Sequence, residues 1–141
     1  EFRRVLFRSA DTGFGGLLNV RETVRGYEAA GVQAIQIEDQ EMPKKCGHTP
    51  GRRVIPAADM VRKIQVAVEA RRSRDFLIIA RTDARTSLGL DEALRRAEAY
   101  AKAGAAMHLN RELMGVQHQL ETLTAEWEAA AKKLAEQEAA S

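Results

Sequence analysis

Between Ala10 and about Gly104 the chain alternates between two hydrophobic periods. In "VQAIQIED" the apolar residues Val32, Ala34, Ile35 and Ile37 interleave with polar ones, and the segment ends on Glu38 and Asp39, the pattern of a β-strand. "DFLIIARTDA" carries a short continuous apolar run ending in Arg81, Thr82 and Asp83, which predicts a strand buried on both faces. Around these strands the period lengthens. Asn19, with Glu22 three residues on, predicts a capping-box start for a helix through "NVRETVRGYEAA", and Gly31 predicts its stop. Pro56 is placed to open a second helix in which Met60 or Val61, Ile64 and Val68 share a face. Leu90, Leu94, Ala97 and Ala101 mark a third, closed by Gly104. Strands alternating with helices of this length predict an α/β protein built of βαβ units around a parallel sheet.

Beyond Gly104 the pattern changes. Leu109, Leu113, Val116, Leu120, Leu123, Trp127, Ala130 and Leu134 step by four and three in alternation, the period of a coiled-coil seam. No further strand is legible there. Residues 107–141 therefore read as a long heptad-patterned helical tail, either an arm or a segment joined from an unrelated coding sequence. At the other end, "EFRRVLFRS" (1–9) resembles the in-frame translation of a sequencing-library adapter and is set aside from the fold. The domain core is thereby expected at 10–106.

Setting residues 1–9 aside changes the charge picture. Arg3, Arg4 and Arg8 against Glu1 account for the whole formal charge of +2, so the remainder is neutral and supports neither a nucleic-acid nor a membrane partner. With 45% hydrophobic and 30% charged residues in 141, the composition suits one soluble domain. The longest apolar stretch, "FLIIA", is only strand-sized, and one cysteine excludes an internal disulfide; a cytoplasmic setting is expected.

Three polar clusters sit immediately after predicted strands: "ADTGFGG" at 10–16, "EDQ" at 38–40 and "RTDAR" at 81–85. In a parallel sheet or barrel the strand C-termini face one way, so these distant segments converge. Asp11 and Glu38 are suited to Mg²⁺, which takes one or two carboxylates and completes its shell with water and substrate. The alternative for Glu38 and Asp39 is a pair of solvated acids at a strand end. "GFGG" lacks the lysine of a phosphate loop, and the single cysteine with His48 cannot assemble a tetrahedral zinc set. His108 and His118 read as solvated helix positions. Cys46, in "PKKCGHTPGR", stands among Lys44, Lys45, His48 and Arg52; that much positive charge favours a thiolate and suits a group that gives or takes a proton near neutral pH. The alternative, a small buried hydrophobe, fits poorly with the glycines, lysines and prolines around it.

Taken in order and at their separations, "ADTGFGG", "NVRETVRGYEAAGVQAIQIEDQ", "PKKCGH" and "IIARTDAR" resemble the isocitrate lyase and phosphoenolpyruvate mutase superfamily over roughly Ala10–Gly104. The "KKCGH" loop resembles the carbon–carbon lyase branch, similar to methylisocitrate lyases; the phosphonate branch generally lacks this cysteine. The resemblance implies a (β/α)₈ TIM barrel, Mg²⁺ at the strand C-termini, homo-oligomers and retro-aldol-type cleavage of a 2-hydroxy or 2-oxo di- or tricarboxylic acid. It implies Asp11 and Glu38 as metal-site acids, Lys44 as a catalytic lysine of a mobile loop, and Cys46 as the proton donor to the carbanion-like product. It further implies Gly47 and His48 as substrate contacts, with His48 also in the catalytic group, and Arg81 as a carboxylate grip; Asp83 and Arg85 share its motif without an assigned role. Two departures stand out. Family members read "DADTG", and the first aspartate, a principal Mg²⁺ ligand, falls where Ser9 stands. A closed barrel takes about 250 residues, whereas this chain offers about three βα units, so a partial barrel, inactive alone and exposing apolar surface, is expected. The rival readings are a phosphonate-type enzyme and a non-catalytic coiled-coil interaction module.

Overall fold

The computed structural model describes residues 7–46, 49–104, 122–129 and 132. Strands and helices alternate in the order β1 (Phe7–Ser9), α1 (Leu17–Ala29), β2 (Ala34–Glu38), α2 (Ala57–Ala70), β3 (Leu77–Arg81) and α3 (Ala84–Leu88), followed by α4 over 90–104. The three strands form one parallel sheet in the order β1-β2-β3. The register pairs Ser9 with Gln36 and Glu38 with Arg81, so the strands finish at a common edge. Residues 122–129 form a separate helix on which Leu123 and Trp127 are exposed; the rest of the heptad seam, and His108 and His118, lie outside the described residues. No helix among the described residues is long and apolar enough to cross a membrane.

The core explains why the central elements form where they do. Ile35 and Ile37 of β2 are fully buried, together with Val20 and Val24 of α1 and Met60, Ile64 and Ala67 of α2. Pro56 stands at the N-cap of α2, where its missing N–H removes no helical bond. Gly31, at φ +80°, ends α1 in a left-handed turn; its N–H donates to Glu28 O (3.0 Å) and that of Val32 to Tyr27 O (3.0 Å), which satisfies carbonyls the helix leaves open.

Several expectations are corrected. α1 starts two residues before Asn19, with Gly16 in extended conformation at the N-cap and no side-chain cap, so the Asn19–Glu22 capping box does not form. The preceding turn carries the chain directly into the helix, with Asp11, Gly13, Phe14 and Gly15 all at positive φ. Gly13 is required there, since a Cβ would lie 2.5 Å from Val20 Cγ2. Residues 7–9, set aside as adapter-like, supply β1. All three are exposed, so the strand is held by its backbone ladder rather than by its side chains, which leaves their identity nearly free. β3 is not buried on both faces: Leu77 and Ile79 are 53% and 41% exposed because no layer among the described residues covers that side. On α4 the inward face is Ala93, Arg96, Tyr100 and Ala103, while Leu90 and Leu94 are exposed.

The α4 shift has a polar cause. Asp39, fully buried, accepts from Tyr100 Oη (2.8 Å), Arg96 Nη1 (3.1 Å) and Thr82 Oγ1 (2.7 Å) through Oδ2, and from the Asp83 N–H (2.9 Å) through Oδ1. One carboxylate thus ties β2 to α4 and fixes the chain as it leaves β3. A helix that turned Leu90 and Leu94 inward would strand this acid.

Two outcomes follow. Asp39→Ala takes the carboxylate from buried Arg96 Nη1, leaving Glu92 to meet only the Nε side (2.9 Å), and strips Tyr100 and Thr82 of their acceptor; it should cost about 3 kcal/mol in urea unfolding. Burial first, and then the Asp39 carboxylate, hold the Tyr100 hydroxyl well above the ordinary tyrosine range. The neutral form is favoured on folding, so this stabilisation is complete below the ordinary value of about 10 and is lost as pH rises towards the higher folded value. In an alkaline titration the phenolate absorbance of Tyr100 should appear with unfolding, and Tyr100→Phe should remove that component.

Candidate functional site

Backbone bonds bring the three polar clusters together. Ala10 N–H donates to Gln36 O (2.8 Å) and Glu38 N–H to Asp11 O (2.9 Å), which extends the β1–β2 ladder and sets Asp11 beside Glu38. Asp39 N–H donates to Arg81 O (3.2 Å) and does the same for β2 and β3. Asp11 sits at φ +53°, a conformation aspartate tolerates, and its Oδ1 accepts from the Thr12 N–H (2.8 Å), leaving Oδ2 directed elsewhere. Lys63 of α2 donates to Thr12 O (2.8 Å) and holds the turn from behind.

Successive residues of a strand face opposite ways. Asp39 therefore faces α4, and Glu38, 2% exposed, faces the mouth of the sheet; neither is the solvated acid that a strand end allows. Lys44 Nζ lies 3.1 Å from Asp11 Oδ2 and 3.1 Å from Glu38 Oε1. Arg81 Nη1 lies 3.5 Å from Glu38 Oε2, and its Nη2 donates to Asp83 Oδ1 (2.9 Å). Arg52 Nη1 stands 3.6 Å from the same Asp83 oxygen, while its Nη2 donates to Thr86 Oγ1 (2.8 Å). Carboxylates of Asp11, Glu38 and Asp83 are thus matched by cations of Lys44, Arg81 and Arg52. Burial pulls the Lys44 pKa down, but the hydrogen bonds and charges of Asp11 and Glu38 outweigh it and hold the pKa above the ordinary lysine value. The Asp83 hydrogen bond raises that of Arg81. Both groups are charged at neutral pH.

Gln40 and Arg52 are members of this cluster that sequence reasoning left without a role. The Gln40 side chain, 2% exposed, accepts from the Lys45 N–H (3.0 Å) and donates to Lys45 O (3.1 Å), Asp83 Oδ2 (2.9 Å) and Glu38 Oε1 (3.2 Å). It stands two residues after Glu38, and strand alternation places it on the same side; that spacing was the available signal. Arg52 was legible only as loop charge, because its partners lie on the far side of β3. Cys46 is exposed, one residue from the Gln40 clamp. Gly47 and His48 lie outside the described residues.

Among the described residues no group of three or more His, Cys, Asp or Glu is arranged to hold a metal ion. The donor set that does exist, two carboxylates from adjacent strand ends, fits a hard divalent cation that keeps water and substrate in its remaining positions. Their oxygens already converge on one positive charge, the Lys44 ammonium.

The family model described as phosphoenolpyruvate phosphomutase matches residues 6–140. The chain is 60% identical over 96 residues to 2,3-dimethylmalate lyase of Eubacterium barkeri, covering 68% of this chain and 33% of that protein. It is 59% identical over 96 residues to 2-methylisocitrate lyase of Aeropyrum pernix, covering 68% and 30%. Among solved structures, oxaloacetate acetylhydrolase in complex with the inhibitor 3,3-difluorooxalacetate matches with a TM-score of 0.69 and 39% identity over 73% of this chain and 35% of that one. Phosphonopyruvate hydrolase in complex with oxalate and Mg²⁺ matches with a TM-score of 0.61 and 41% identity over 70% and 33%. The chain spans about a third of the length of the curated relatives it matches. The family model's match over residues 6–140 and the identities to these relatives agree: this chain belongs to the phosphoenolpyruvate phosphomutase family, within the phosphoenolpyruvate mutase and isocitrate lyase superfamily.

Proposed function

We propose that this chain carries part of the active site of a Mg²⁺-dependent carbon–carbon lyase that cleaves a 2-hydroxy or 2-oxo di- or tricarboxylic acid in a retro-aldol manner. The observation that carries the reading is the convergence of Asp11, Glu38, Lys44 and Arg81 at one sheet edge, with Cys46 on the same segment as Lys44. Identity near 60% to two carbon–carbon lyases supports this branch over the phosphonate-type alternative. The three parallel strands would be consecutive strands of a (β/α)₈ barrel, with exposed Leu77 and Ile79 on a face that further strands would cover. The lyase segment would run over 10–106 and the tail over 107–141, and the full-length protein would act as a homo-oligomer in the cytoplasm.

Asp11 and Glu38 would hold the Mg²⁺. When bound, the ion supplies Lewis acidity towards the oxygens of the substrate's 2-position and carboxylate. The chain's own residues do the remaining work. Arg81 presents a planar fork suited to a second carboxylate, and Asp83 holds that fork in orientation. Lys44 places a mobile positive charge beside the carbon chain, where negative charge develops on cleavage. Cys46 delivers a proton to the carbanion-like carbon of the departing product, while a 2-hydroxy substrate gives up its hydroxyl proton to solvent as that oxygen becomes the carbonyl of the other product. Gly47 would offer a backbone N–H to the substrate, and His48 a polar contact that aids catalysis. Gln40 fixes the backbone between Lys44 and Cys46, so that the two side chains start from a set place on the segment.

In the protein extended to the length of its relatives, mass spectrometry should show two-fragment cleavage of 2-methylisocitrate or 2,3-dimethylmalate. Turnover of phosphonopyruvate without such cleavage would overturn the reading. Cys46→Ser should lower kcat by about 10²–10⁴-fold with Mg²⁺ affinity unchanged, as measured by steady-state kinetics and calorimetry; full activity would remove the thiol from the mechanism. In the present chain, Gln40→Met should speed amide hydrogen exchange at Lys45 while leaving exchange in β2 and α2 as it was, since the backbone N–H that the Gln40 side chain holds is that of Lys45.

A further inference from the structure

The nearest oxygens of Asp11 and Glu38 reach Lys44 Nζ at the same distance, 3.1 Å. The other acceptor positions of these two acids are engaged: Asp11 Oδ1 takes the Thr12 N–H, and Glu38 Oε2 faces Arg81. The oxygens turned to Lys44, of which Glu38 Oε1 also accepts from Gln40 Nε2 (3.2 Å), are therefore the ones a metal ion would take. A Mg²⁺ ion sits about 2.0–2.1 Å from its oxygen ligands, so an ion shared by this pair would press against the ammonium and claim the lone pairs its N–H groups now use. Two cations do not fit one seat.

The means of resolving that conflict is built in. Lys44 is 33% exposed on a segment, 41–46, whose residues are all exposed, whereas Glu38 behind it is buried. The backbone of the next residue is held separately, on both its N–H and its C=O, by Gln40. The flexible four-carbon stem can swing the ammonium outward while the peptide stays in place.

We propose that the Lys44 ammonium and a divalent cation exclude one another on the Asp11–Glu38 pair, so that loading the seat releases Lys44 to face the substrate. This rests on the reading of that pair as the metal seat. Lys44 is then an internal competitor: the apparent metal affinity is reduced by the fraction of time the seat is open, and the lysine's part in the reaction begins only once it has been displaced.

The test uses the present chain with Mn²⁺, which takes the same oxygen ligands, following the paramagnetic signal of the free ion. Lys44→Met should tighten binding about tenfold, the worth of a hydrogen bond to a charged group. Lys45→Met controls for the loss of a nearby charge, since that ammonium lies against Gly51 and not on the seat; its effect should be much smaller. Saturating Mn²⁺ should also speed acylation of Lys44 by an amine reagent, read by mass spectrometry, since a displaced ammonium is no longer held between the two carboxylates. Equal affinities in wild type and Lys44→Met, or Lys44 acylation unmoved by saturating Mn²⁺, overturns the exclusion while the seat stands. Absence of binding in every form, or binding that persists in Asp11→Asn/Glu38→Gln, removes seat and exclusion together.

Discussion

At the end of β2 two carboxylates occupy consecutive positions, and the pleat of the strand sends them to opposite faces. Asp39 goes inward, where Arg96, Tyr100, Thr82 and the Asp83 N–H surround it. Glu38 goes to the mouth, where Lys44, Arg81 and Gln40 surround it. Both are buried, and a buried carboxylate is tolerable only when its charge and lone pairs are met. The rest of the arrangement serves that requirement. α4 turns a charged face inward for Asp39, and the 41–46 segment folds back so that Lys44 can meet Glu38. A one-residue slip of β2 would exchange the two acids and leave each among the wrong partners, so the register of the sheet and the constitution of the site are the same fact.

Asp83 joins the two halves. Its backbone N–H belongs to the Asp39 cluster, while its carboxylate belongs to the site, where it takes Gln40, Arg81 and Arg52. The position of Arg81 is thereby linked through one residue to α4 on the far side of the sheet. A guanidinium intended to grip a carboxylate needs its plane fixed in advance, because the gain over a lysine lies in the preset fork. Asp83 supplies that orientation, and Asp39 supplies the orientation of Asp83.

What the sequence made legible was whatever depends on local pattern. The apolar positions of β2, Pro56 at the head of α2, and Gly31 at the end of α1 each act through backbone geometry or burial that neighbouring residues decide. The gathering of Glu38 and Arg81 followed from strand parallelism alone. What stayed hidden depends on partners far away in sequence. Leu90 and Leu94 outrank Arg96 and Tyr100 in hydrophobicity, and only Asp39, 57 residues before Arg96, makes the polar pair the inward one. The Asn19 capping box failed because a glycine-bearing turn had already started the helix. β1 escaped notice for the opposite reason: its side chains carry little information when its contribution is a row of backbone donors and acceptors.

That tolerance at β1 bears on the site. Ser9 stands where the family resemblance places an aspartate, and here its hydroxyl accepts the Asp11 N–H at 3.2 Å instead of offering charge. With three carboxylates at the seat, one ammonium would leave two negative charges unmatched, and a divalent cation would be strongly favoured over it. With two, one of them also facing Arg81, the Lys44 ammonium comes close to neutralising the seat. On the proposed exclusion, the serine therefore weakens metal binding twice, by removing a ligand and by making the lysine a stronger competitor for those that remain.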